Sequence, residues 1–216
     1  MVVVKAKLRK KLRALKKRFR RDWPAVSAGA VVVLMGFLAY FDYMESKKLV
    51  IDPAAYSSLL QLIAEAESNG NYNAYFSNAS NTQVRFTEMT IAEVMSWQRD
   101  FLAQGKASSA VGRYQIIDST LNSLVGEMSL DLNEKFDERT QDEMAAKLLE
   151  RRGSVAYVNN ELSSRDFAAN LAKEWAALPK VVGDNPEESY YASDGLNKSH
   201  VSTGEILGAI DEIKVK

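Results

Sequence analysis

The sequence predicts a mainly α-helical domain with at most a small β element, preceded by a single N-terminal transmembrane helix. Three observations predict it. Residues 1–22 hold eleven Lys/Arg and one acid, leaving a net −10 on the remaining 194 residues, so the two parts suit different environments. An apolar run follows the basic arm directly. Beyond it, apolar residues recur at helical spacing in one segment after another, most with a recognisable start or stop.

Taken in order, residues 1–22 form a basic arm in which Leu8, Leu12, Leu15 and Phe19 recur at helical spacing, suiting an amphipathic helix on anionic lipid. Nucleic acid is a weaker alternative for that arm. Residues 23–44 are the expected anchor. From Trp23 to Tyr43 the 21 residues carry one charge, Asp42. As a helix they would span roughly 31 Å, close to the hydrocarbon thickness of a bilayer. Trp23, Tyr40 and Tyr43 stand where aromatic belts form, and the cations beside the run hold the N-terminus in the cytoplasm. A buried core helix would not carry that flank. A cleaved signal peptide is the runner-up, but the basic region is long for one and no A-x-A site follows the apolar run; an anchor that slips out of the membrane is a third possibility.

Residues 45–53, ESKKLVIDP, are a tether, and residues 54–216 are the outer domain. AAYSSLLQLIAEAE (54–67) places Leu59, Leu62, Ile63 and Ala66 on one helical face. Residues 68–87 are polar and rich in Asn, as in a long loop. TIAEVMSWQRDFLAQG is a helix with Thr90 as N-cap, Glu93 completing a capping box and Gly105 as the stop. DSTLNSLVGEM, DERTQDEMAAKLLERRG and SSRDFAANLAKEWAALP are three more, the last two ending at Gly153 and Pro179. A long loop then leads to a final helix, STGEILGAIDEI.

The absence of cysteine removes disulfides and thiolate metal sites. His200 is the only histidine, so a Ser-His-Asp triad is excluded unless His200 is its base; a structural or solvated role is the alternative. No metal cluster or phosphate-cradling glycine loop is visible, and no cofactor is expected. The acid Glu67 stands out. It shares helical phase with Leu60 and Ile63, whereas Glu65 lies about 200° away and is expected in solvent. A carboxyl at the lip of an apolar helix loses hydration, and its raised pKa would suit proton donation to a leaving oxygen. Capping a loop or pairing with Arg113 is the alternative. SSAVGRYQIIDST (108–120) supplies small residues, Gly112 for close backbone approach, the Tyr114 ring and the Gln115 amide, the parts of a sugar-binding wall.

IAEAES followed by SSAVGRYQIIDST resembles the glutamate motif and the Gly-x-Tyr-Gln motif of lysozyme-like peptidoglycan-cleaving enzymes. The likeness is to the phage lambda endolysin group and its prophage muramidase relatives. It extends through FDERTQDEMAAKLLERRG and FAANLAKEWAALP, with MTIAEVMSWQ and SYYASDGLNKSHVS similar to segments of the prophage relatives. It covers residues 57–212 and none of the arm or anchor. The resemblance implies an α+β lysozyme-like domain that cleaves the MurNAc-β-1,4-GlcNAc bond of peptidoglycan glycan strands. Glu67 falls on the catalytic acid and Ser68 on the residue that follows it; Ser68, Tyr114 and Gln115, with Tyr72, would bind substrate. Lambda-type members are lytic transglycosylases, which need one essential carboxyl. Hydrolysis by a muramidase would need a second, for which Glu88 and Asp118 are the candidates, although each has a local capping role to fill. The stretch 76–106 departs from the lambda pattern, so contacts there do not carry over. Trp97 and Trp175 are expected in the core, and Tyr190 and Tyr191 either on the far rim of the cleft or in a simple turn. A membrane-tethered enzyme of phage or prophage origin, with its domain in the periplasm or on a virion, is the expected whole. A wall-binding scaffold with a spent site and a holin-like protein are the alternatives.

Overall fold

A computed structural model describes residues 53–195 and 197–213. The arm, the anchor and nearly all of the tether lie outside these residues. Among the described residues no helix is long and apolar enough to cross a membrane, and the expected span at 23–44 is not among them.

The described domain is helical. A 3-10 turn, Pro53–Tyr56, leads into α1 (Ser57–Ser68). Then come α2 (Ile91–Ala103), α3 (Asp118–Met128), α4 (Glu138–Arg151), α5 (Ser154–Val158), α6 (Ser164–Leu171) and α7 (Thr203–Asp211). The described residues contain no strand, only isolated bridges such as Tyr75–Val111 and Val111–Ile116. Helix α1 packs against α4 and α7, α6 joins α7, and α2 pairs with α3. Leu59 and Ile63 of α1, Leu148 and Leu149 of α4, and Ile206 and Ile210 of α7 are buried in one core. Each such side chain contributes about 1.5–3 kcal/mol. The buried stripe of α1 runs through Leu59, Leu60, Ile63 and Ala64, while Leu62 and Ala66 are only partly covered.

Local chemistry explains most boundaries. Thr90 and Glu93 form the expected capping box on α2, and Ser202 with Glu205 forms another on α7. Asp137 and Ser163 cap α4 and α6 through their side chains. The segment 163–178 departs from its expected single helix: α6 stops at Leu171, and the chain turns through Trp175 to Pro179. The five-residue α5 forms just after Gly153, where a stop was expected and no further helix. Tyr75, Phe86, Trp97 and Phe101 form an aromatic cluster, with Trp97 and Phe101 stacked at 4.5 Å. Trp175 is buried, so both indoles are packing groups.

Two buried amides hold the 108–117 segment in place. Gln98 Nε2 on α2 donates to the carbonyls of Ser109 and Ile116. Gln141 on α4 accepts from the Arg113 N–H and donates to the carbonyls of Tyr72 and Phe136. Gly112 sits between them with φ +77, and a Cβ there would collide with the Gln141 side chain.

Candidate active site

Helix α1 ends because Asn69 takes the left-handed conformation, φ 53, while the Asn69 and Gly70 N–H groups donate to the Glu65 and Ala64 carbonyls. This is a left-handed cap, with Asn in the position where glycine is commonest. It puts Glu67 and Ser68 in the last turn. Ser68 is buried, and its hydroxyl donates to the Arg113 carbonyl at 2.7 Å and to Ala64 O at 3.0 Å. The helix end is thereby fastened to the Gly-x-Tyr-Gln segment.

Glu67 lies against the segment following α6. Its Oε1 accepts the Ala177 N–H at 2.9 Å. That donor is available only because α6 has ended at Leu171; in a continuous helix it would be spent on the carbonyl four residues back. Part of the Glu67 surface is open, while its carboxyl lies deep among protein atoms. Burial pushes the Glu67 pKa up from 4.5 to about 7, and the Ala177 N–H pulls in the opposite direction without prevailing. No pairing with Arg113 occurs: that guanidinium bonds Gln61, and Gln61 in turn donates to Glu65.

The open side of Glu67 faces a groove of about 490 Å³, within the size range of ligand clefts. Leu62 and Ala66 give it an apolar strip from α1; Glu65, His200 and Glu205 are polar groups along its lining. His200 is exposed, and its backbone N–H donates to the Ala177 carbonyl at 2.8 Å. The Ala177 backbone therefore touches Glu67 through its N–H and the groove wall through its carbonyl. Sequence reading missed both contacts, since a main-chain donor leaves no mark in residue identity. Glu205 is held below the usual carboxylate range by Ser202.

The remaining expected residues gather beside this groove rather than inside it. Tyr72 and Tyr114 converge on Asp142, with hydroxyl distances of 3.0 and 2.7 Å. The Arg113 guanidinium lies over both rings, 4.7 Å from that of Tyr72 and 5.8 Å from that of Tyr114. Burial and the neighbouring Asp142 raise the pKa of both phenols, that of Tyr72 to about 12. Tyr114 is only 2 % exposed, so its ring braces the wall and does not present a stacking surface. Gln115 is half-buried at φ +48, and its amide donates to the Gly112 carbonyl. Asp142 was invisible as a site residue because DERTQDEM is equally the polar face of a helix.

Neither expected second carboxyl lines the groove. Glu88 pairs with Arg85 at the surface, and Asp118 exchanges hydrogen bonds with Ser109 at the start of α3. Tyr190 and Tyr191 are exposed on the turn beyond Pro179. Among the described residues no group of His, Asp and Glu could hold a metal ion.

A sequence model described as Endolysin matches residues 57–205, a span that includes Glu67, the Gly112–Gln115 segment and Ala177. No curated protein and no solved structure matches the chain. With most of its length covered by that match, the chain belongs to the endolysin family, the phage enzymes that degrade the peptidoglycan of the bacterial cell wall.

Proposed function

We propose that the chain is a membrane-tethered lytic transglycosylase that cleaves the MurNAc-β-1,4-GlcNAc bond, with Glu67 as its one essential acid and base. The observation that carries this reading is the state of that carboxyl: burial lifts its pKa to about 7, and it borders a ligand-sized groove. Near neutral pH a large share of Glu67 therefore holds a proton to give. It would protonate the glycosidic oxygen as the C1–O bond breaks. The resulting carboxylate would then take the proton from the muramic acid C6 hydroxyl as its oxygen closes on C1. The proton returns to Glu67, an anhydro ring forms, and no water is consumed.

Hydrolysis needs a second carboxylate at about 5–5.5 Å for retention or about 6.5–9.5 Å for inversion. The local engagements of Glu88 and Asp118 favour the one-acid route. The muramidase reading keeps one specific support, the presence of Glu65 and Glu205 along the same groove. Ser68 and the Tyr72–Tyr114–Asp142 cluster would keep the Gly112–Gln115 wall in register with Glu67, and Gln115 would meet substrate amides. The basic arm and the apolar run 23–44 support a single-pass topology, N-terminus in the cytoplasm and the domain in the periplasm. Such a tether confines cutting to glycan near the membrane.

Mass spectrometry of sacculi digested by the full chain tests the chemistry. Anhydro-muramic ends are expected. Reducing muramic ends would replace the transglycosylase with the muramidase, and intact glycan with cut stems would reject both. Glu67→Gln should abolish either activity; a wall-binding scaffold would behave identically in both forms.

A further inference from the structure

We propose that Tyr190 and Tyr191 form a stacking platform for a sugar ring of the glycan strand, outside the groove that holds Glu67. The inference deepens the groove reading above and rests on it. Tyr190 is 51 % exposed and Tyr191 38 %, with ring centroids 5.1 Å apart and planes at 76°. Two adjacent aromatic rings left this open forgo burial that would stabilise the fold, and they are held there by a built turn. The Ser189 hydroxyl donates to the Ala176 carbonyl at 2.7 Å and accepts the Tyr191 N–H at 3.1 Å. The Tyr191 hydroxyl donates to the Lys173 carbonyl at 2.8 Å, so its ring is fixed from the far end.

The anchor points of this turn belong to the segment that serves Glu67. Ala176 O holds Ser189, while the next residue, Ala177, gives its N–H to Glu67 and its carbonyl to His200 of the groove lining. Platform and groove are thus two sides of one short stretch of backbone. The family's substrate is a polymer, and a strand threaded through a groove of about 490 Å³ must continue beyond it. A tyrosine face is apolar enough to cover the C–H face of a pyranose while its edge remains wet. Polar partners stand nearby: Arg152 pairs with Glu174 at 2.7 Å and also donates to the Lys173 carbonyl that receives the Tyr191 hydroxyl. Charge-paired planar groups beside an aromatic face suit sugar hydroxyls and acetamides.

The test uses the full chain in mild detergent with Glu67→Gln throughout, so that binding is read without cleavage. Tyr190→Ala is expected to weaken sedimentation with insoluble peptidoglycan sacculi about 3- to 10-fold, the loss of one aromatic contact. Tyr190→Phe and Tyr190→Trp should bind as well as Tyr190. Binding of a soluble MurNAc-GlcNAc tetrasaccharide, short enough to be held by the groove alone, should be unchanged. If Tyr190→Ala melts early, Tyr190→Gln removes the ring while keeping a long polar side chain. Unchanged sacculus binding would overturn the proposal, as would equal losses for tetrasaccharide and sacculi, or a Tyr190→Phe variant as weak as the alanine. A dimer that Tyr190→Ala dissolves with sacculus binding intact would assign the pair to self-association and overturn it too. Retained cleavage by Glu67→Gln would sink the groove assignment, and a Tyr190-dependent loss of sacculus binding would still support the platform.

Discussion

Replacing Glu67 by Gln should stabilise the domain at alkaline pH while removing its activity. The glutamine keeps the size of the side chain and an oxygen for the Ala177 N–H, and it removes the charge. Burial raises the Glu67 pKa from 4.5 to about 7 in the folded protein. Between those values the native state binds more protons than the unfolded chain, so stability falls as pH rises through the window. At 1.36 kcal/mol per pKa unit, the full penalty above the window is about 3 kcal/mol. Near pH 5 the native carboxyl is already neutral and the penalty is below about 1 kcal/mol. Urea unfolding of both chains in mild detergent, followed by tryptophan fluorescence, measures the difference, since Trp175 is buried and reports on the core. The stability advantage of Glu67→Gln should grow by about 2–3 kcal/mol from about pH 5 to about pH 8. Parallel pH dependences for the two chains would refute the reasoning, because they would mean that Glu67 titrates alike folded and unfolded.

The same carboxyl predicts a wall-clearing rate that falls as pH rises past about 7, where the proton donor is lost; a turbidity profile still flat two pH units higher would exclude Glu67 as the acid. Gly112→Ala should destabilise the domain by more than about 2 kcal/mol, because its φ of +77 and the clash with Gln141 act together; a normal melting temperature would contradict this. Asp142→Ala should cost about 1–3 kcal/mol by leaving the buried Tyr114 hydroxyl without its acceptor. The loss should shrink when Tyr114→Phe is already present, a coupling that a double-mutant cycle in urea measures directly. Thr90→Ala should cost about 1 kcal/mol through the α2 cap, with wall clearing unchanged at low temperature.

What could be read in the sequence was what is decided locally. Thr90 and Glu93 stand three residues apart, so the α2 cap is visible without knowledge of anything else. The phase that joins Glu67 to Leu60 and Ile63 likewise turns the acid inward and leaves Glu65 exposed, as found. The stop of α6 at Leu171 had no such signal, because AKEWAA would continue a helix readily. A contact 110 residues away, from Ala177 to Glu67, accompanies that break. Tyr114 offered a ring with no indication of which way it points. Its direction is fixed by Asp142, 28 positions on, where an acid in a polar helical face looks like any other. Tyr72, Tyr114 and Asp142 could be assembled only once the two loops had been folded against α4.

The Ala177 contact also sets a timetable. A ribosome delivers Glu67 long before it delivers Ala177, and until the later piece folds into place the acid remains an ordinary exposed glutamate. Translation order thus postpones the burial of that carboxyl against the 177 segment until the closing third of the chain has been made. Because the bonding group is an amide of the main chain, exchanging the methyl at position 177 leaves that contact intact; a proline there would remove the one hydrogen bond that opposes burial, and the carboxyl would hold its proton more tightly.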